Sequence, residues 1–114
     1  MKRGDIILIT VPFSDLTSSK VRPAIVISPE DPSERDFVVA LITTNISRTL
    51  RPHDHALRTT DNDFKSTGLR FDGVFRMSKL YNLNKTLAQR RLGKASPPLM
   101  KKLEKKLKVA LGIQ

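Results

Sequence analysis

Lys20-Val21-Arg22-Pro23-Ala24-Ile25-Val26-Ile27-Ser28 is the stretch on which the fold turns. Its β-branched centre, Ile25-Val26-Ile27, predicts a strand from Arg22 through Ser28. Pro23 has no amide donor, so the start of that strand must lie at a sheet edge or a bulge. Upstream, Phe13-Ser14-Asp15-Leu16-Thr17-Ser18-Ser19-Lys20 reads as a polar loop. Before it, Ile6-Ile7-Leu8-Ile9-Thr10-Val11, bounded by Gly4 and Pro12, predicts a first buried strand. Downstream, Pro29 and Pro32 close a charged loop, and Phe37-Val38-Val39-Ala40-Leu41-Ile42 predicts a third strand ending at Thr43-Thr44-Asn45.

From Ser47 to Ser66 the sequence is polar, with only a weak strand candidate around His55-Ala56-Leu57. Gly73 to Leu80 alternates, which places Val74, Arg76, Ser78 and Leu80 on one face and Phe75, Met77 and Lys79 on the other. Leu87 to Lys94 is ambiguous between a helical turn and a strand. The tail is clearer. Ser96 can cap a helix with Pro97 at its first position, where the missing donor costs nothing. Leu99, Leu103, Leu107 and Leu111 then recur every fourth residue, widened by Met100 and Ala110, and Gly112 ends the helix. Short strands followed by one helix predict a mostly β fold, a small antiparallel barrel with the helix packed on it.

The chain has 114 residues, enough for one domain, taken as 1–114, with a modest core. Cysteine is absent, which excludes a disulfide framework, a thiolate nucleophile and cysteine-ligated metal. The apolar run from Ile6 breaks at Pro12, short of the roughly 20 residues that span a bilayer, and no cleavage site follows. The expectation is a soluble, cytoplasmic protein. Lysine and arginine number 21 against 11 acidic residues, a formal charge of +10. Such a surplus attracts a polyanion, and without a strongly amphipathic N-terminal membrane helix, nucleic acid leads.

The segments carry a resemblance. Arg3-Gly4-Asp5-Ile6-Ile7-Leu8 is similar to the opening of the MazF/PemK (Kid) toxins. Lys20 through Ser28 is similar to their Arg-Pro second strand, and Val39-Ala40-Leu41-Ile42-Thr43-Thr44 to their third. Asp72-Gly73-Val74-Phe75-Arg76-Met77 resembles a later strand, followed by Leu92-Gly93 and an amphipathic helix. The resemblance spans nearly the whole chain. It implies an SH3-like barrel of the CcdB/PemK type, a homodimer that cleaves mRNA at short motifs as the toxin of a type II toxin–antitoxin system. It also implies a MazE-like antitoxin with an acidic tail, through which alone operator DNA would be bound.

By match to the family, Arg22 and Thr43 are the catalytic pair. Without a metal or other cofactor, RNA is cut when its own 2′-hydroxyl attacks the adjacent phosphorus. The protein must align that attack and stabilise the phosphorane. A guanidinium grips two non-bridging oxygens at once but makes a poor base, so Arg22 is assigned to charge stabilisation and Thr43 to a hydroxyl hydrogen bond. The expected RNA-binding residues are Ser18, Ser19, Lys20, Thr44, Asn45, Arg76, Ser78 and Lys79. Certain members carry an aspartate base two residues past the position of Arg76, where this chain has Ser78. The loop from Leu16 to Lys20 also departs from the family's glutamate-glutamine segment.

On their own, Arg22 reads as a strand-edge arginine in a surface ion pair and Thr43 as a strand end satisfying a turn. His53-Asp54-His55 is a rival site, able to supply an acid and base or to chelate a metal, although a solvated loop is the favoured reading. Lys101, Lys102, Lys105, Lys106 and Lys108 read as an exposed helix face. With Tyr81 the lone tyrosine and no tryptophan, base stacking is a minor resource. Two other functions stay open: a catalytically silent member that binds nucleic acid or represses its operon, and a CcdB-like inhibitor of a protein target.

Overall fold

The computed structural model describes residues 1–12, 19–46 and 49–114. Its strands are β1 (Asp5–Pro12), β2 (Ser19–Val26), β3 (Asp36–Thr43), β4 (Asp54–Leu57), β5 (Gly73–Asn84) and β6 (Ala88–Lys94), followed by the helix α1 (Pro97–Leu111). They form one six-stranded sheet in the order β4-β5-β3-β2-β1-β6. Every pair is antiparallel.

Both faces of this sheet are apolar, because the strands at its centre carry runs of aliphatics and not an alternation. Ile6, Ile25, Ala40, Ile42, Phe75 and Met77 pack beneath Leu99 and Leu103 of α1. Their neighbours Ile7, Ile9, Val11, Ala24, Val26 and Val39 point the other way and gather with Phe37 and Leu83 in a second cluster. Among the described residues no helix covers that second face, and the sheet curls to enclose it. The ends are drawn round accordingly. The 3₁₀ turn Lys65–Thr67, which joins β4 to β5, lies so close to β6 that a Cβ on Gly93 would stand 2.3 Å from the Ser66 carbonyl oxygen. The result is the barrel-like, mostly β fold expected from the sequence.

The helix follows its sequence signals. Ser96 Oγ accepts the Leu99 amide at 3.3 Å, and Gly112 caps the far end at a left-handed φ of 69°. Leu99 and Leu103 are buried, whereas Leu111, expected on the same stripe, is exposed. Among the described residues, no helix is long and apolar enough to cross a membrane.

Five local expectations change. β2 begins at Ser19 and not at Arg22, and β5 runs on to Asn84. Leu87–Lys94 resolves into a 3₁₀ turn at Lys85–Leu87 and then the strand β6. The alternation of β5 breaks in its middle. Arg76 stands opposite Leu41, but Leu80 stands opposite Ala40, so Met77, Ser78 and Lys79 span a bulge. Leu80 consequently packs in the cluster under α1, not on the face of Arg76. Lastly, His53-Asp54-His55 is no solvated loop. It enters β4, and Asp54 is only 2% exposed.

One turn recurs. In Lys2–Asp5, Arg51–Asp54 and Arg58–Asp61, the aspartate amide donates to the basic residue's carbonyl oxygen, while its carboxylate accepts the basic residue's amide. Each is a four-residue β-turn whose last residue, the aspartate, folds its carboxylate back onto the amide of the first.

Candidate active site

The second strand divides its loyalty between two neighbours. Against β1 it stays paired from Ile25, opposite Ile6, to Ser19, opposite Pro12. Against β3 it pairs only over Ala24–Val26, with Ala24 opposite Leu41 as the last rung. Pro23 comes next and has no amide to extend the ladder. The strands therefore part at this proline. The sheet-edge placement that Pro23 demands is met locally, inside a strand that is elsewhere central.

Where they part, a cleft of about 260 Å³ opens, lined by Val11, Arg22, Leu41, Ile42, Thr43, Arg76, Lys79 and Tyr81. Arg22 sits on the freed end of β2 and is exposed. Thr43 is the last residue of β3, and its Oγ1 accepts the Asn45 amide at 3.2 Å. That bond is the turn-satisfying contact read from sequence. It also orients the hydroxyl while leaving its proton to donate into the cleft. Arg76 comes from β5, half-buried, with Leu41 opposite on one side and Asp54 opposite on the other. Lys79 is brought to the same cleft by the bulge in β5.

Of the expected site residues, the structure brings together Arg22, Thr43, Arg76 and Lys79. Ser18 lies outside the described residues. Ser19 and Lys20 are exposed at the start of β2, and Asn45 is exposed just past β3. Ser78 is exposed on the bulge and does not line the cleft. Thr44 points to a different cleft of about 340 Å³, whose walls include Leu8, Pro23, Phe71 and Leu92. Sequence reasoning missed Val11, Leu41, Ile42 and Tyr81 as lining residues. Alternation would have found Val11, which shares a face with Ile9, but Tyr81 depends on the bulge and could not have been placed.

Among the described residues the lining joins the aliphatic Val11, Leu41 and Ile42 to two guanidinium groups, an ammonium, a hydroxyl and a phenol, with no carboxylate or imidazole. Such a set suits a phosphodiester better than a divalent cation. The histidines are elsewhere. His55 lies against the Phe75 ring, with centroids 6.5 Å apart. Burial pushes its pKa down, the Lys102 and Lys106 charges push the same way, and Asp61 and Asp63 oppose them. Among the described residues, no group of three His, Asp or Glu side chains is placed to hold a metal ion. The helix lysines are exposed or half-buried, and Lys102 reaches Asp63 at 3.5 Å.

Comparison with known proteins matches residues 2–111 to the model of a family described as the PemK-like, MazF-like toxin of type II toxin–antitoxin systems. Similar solved structures include an endoribonuclease in complex with its cognate antitoxin from a mycobacterial species, at TM-score 0.77 and 22% identity, covering 100% of this chain and 97% of that one. The Mycobacterium tuberculosis toxin MazF-mt6 aligns at TM-score 0.76 and 19% identity, covering 96% and 98%. The MazE-MazF structure from Deinococcus radiodurans aligns at 0.76 and 18%, covering 100% and 97%. At these identities the structural matches speak for the fold. A search of curated protein sequences found no match.

Proposed function

The chain belongs to the family of PemK-like, MazF-like toxins of type II toxin–antitoxin systems, and from that membership we propose that it is an endoribonuclease that cuts single-stranded mRNA without a metal. The observation that carries the reading is the meeting of Arg22 and Thr43 in one cleft, with Arg76 and Lys79 beside them. Proteins of similar structure include one named an endoribonuclease in complex with its cognate antitoxin. Substrate would be found in the cytoplasm, and the working unit is residues 1–114 as one domain, paired with a second copy. A MazE-like antitoxin with an acidic tail is the complementary partner for a chain of charge +10.

The reaction follows from the lining. The substrate's 2′-oxygen forms a bond to the neighbouring phosphorus as its proton leaves to solvent. The bond from phosphorus to the 5′-oxygen breaks, and that oxygen takes up a proton. Negative charge accumulates on the non-bridging oxygens between these events. Arg22 can fork across two of them, and the Thr43 hydroxyl fixes the same phosphate so that attack and departure stay in line. Arg76 and Lys79 add positive charge that favours the phosphorane over the diester. The departing 5′-oxygen takes its proton from solvent, replacing the one released by the 2′-hydroxyl, while Arg22 at the cleft keeps its charge throughout. The products are a 2′,3′-cyclic phosphate and a 5′-hydroxyl.

The test is digestion of a long single-stranded RNA by the purified protein in excess EDTA, with the product ends identified by mass. Fragments ending in 2′,3′-cyclic phosphate support the reading. Intact RNA, or cleavage that appears only on adding a divalent cation, refutes it.

A further inference from the structure

Asp54 is the most deeply buried acidic residue among the described residues, at 2% exposure. Its turn with Arg51 accounts for one carboxylate oxygen, since Oδ2 accepts the Arg51 amide at 3.0 Å. The other, Oδ1, is buried and accepts from no described residue. Leaving a carboxylate oxygen in that condition is costly, and such oxygens persist where a cation stands close by.

The sister turns show what the second oxygen does in this fold. In Lys2–Asp5, Oδ2 accepts the Lys2 amide at 2.8 Å and Oδ1 accepts Arg91 Nε at 3.1 Å, the arginine coming from the neighbouring strand β6. In Arg58–Asp61 the aspartate is exposed and water can serve. Asp54 has the burial of the first case. The cation on its neighbouring strand is Arg76, directly opposite it in the β4–β5 ladder. Residues so paired project from the same face, their Cβ atoms about 5 Å apart.

We propose that Asp54 is a positioning residue for Arg76: its fixed, buried carboxylate, directly across the ladder and making no hydrogen bond to it through Oδ1, attracts the guanidinium through space and so restricts it to the orientation that faces the cleft. This attraction uses none of the five guanidinium donors, so it does not compete with binding of a phosphate. The arrangement places a fixed anion behind the catalytic cation, restricting its rotamers before RNA arrives. The proposal rests on the reading of the cleft as a phosphodiester site.

The experiment uses the full chain with Asp54→Asn, Arg76→Lys and the double variant. Asparagine keeps an acceptor for the Arg51 amide and so preserves the turn, while the charge is removed. Asp54→Asn should lower kcat about tenfold, well short of the ~100-fold that a 1 Å misplacement costs, and leave KM within about twofold. In the Arg76→Lys background the same change should have no further effect. Wild-type kcat in Asp54→Asn, or an equal loss in both backgrounds, overturns the proposal.

A second readout needs no activity. The Arg76 Nε–H resonance, assigned with Arg76→Lys, should exchange with water more slowly than that of exposed Arg22 in the wild-type protein. It should also shift in Asp54→Asn. Exchange as fast as that of Arg22 overturns the proposal even where Asp54→Asn does not fold. A wild-type protein that cuts no RNA would refute the function proposed above and leave this resonance to decide the role of Asp54.

Discussion

Arg22 and Thr43 face one another across the point where β2 and β3 separate. The last shared rung is Ala24 with Leu41, and each of the two residues lies two positions farther along its own strand, on the same face as that rung. Had the ladder continued they would be a cross-strand pair in contact. Because Pro23 stops it, the space between them is open and both line it. A backbone property of one residue thus creates the gap that two others use.

Thr43→Val keeps the shape of the side chain and removes its hydroxyl. Loss of a single hydrogen bond to the developing charge should lower kcat by about 100-fold. The turn bond to the Asn45 amide disappears too, at a cost of about 1 kcal/mol. Thr43→Ser restores the hydroxyl and should recover most of the rate. Single-turnover cleavage and urea unfolding of the three proteins check this, and equal rates for valine and serine would contradict it.

His55 makes stability depend on pH. Burial first, then Lys102 and Lys106, keep its folded-state pKa below the ordinary value of 6.5. The unfolded chain therefore takes up the proton at a pH where the folded chain still resists it. Stability should be fully present above about 6.5 and fall as the pH drops through that value toward the folded pKa. Urea midpoints measured from pH 8 to 5 should show this decline, and His55→Gln should flatten it. An unchanged slope in that variant would place the titration elsewhere.

Gly93→Ala tests how the sheet is closed. Its new methyl group would stand 2.3 Å from the Ser66 carbonyl oxygen and 2.6 Å from the Thr67 carbonyl carbon, both rigid backbone. Either β6 or the 3₁₀ turn must move, at about 1–3 kcal/mol. A clear fall in Tm is expected, and a wild-type Tm would mean that the two segments do not meet.

Much of this was legible in the sequence, for reasons that differ by segment. β1, β3 and α1 announce themselves because their aliphatic runs and the Ser96-Pro97 cap act locally. Arg22 and Thr43 were found through resemblance, and Pro23 pointed to the edge that makes their meeting possible. The bulge in β5 was hidden, because alternation assumes an unbroken strand and nothing in Met77-Ser78-Lys79 announces a break. Lys79 was therefore placed on the face opposite Arg76, yet both line the cleft. His53-Asp54-His55 was misread for a similar reason. Three polar residues look solvated, and only tertiary pairing with β5 shows that Asp54 is covered.

The central claim is that Arg22 and Thr43 act on a single phosphodiester, and Arg22→Ala tests it most directly. The variant and the wild-type protein are first matched by unfolding midpoint, then incubated with the same single-stranded RNA in EDTA. Wild-type protein should give fragments ending in 2′,3′-cyclic phosphate, while the folded variant gives none above background. Cleavage by folded Arg22→Ala at the wild-type rate would contradict the account.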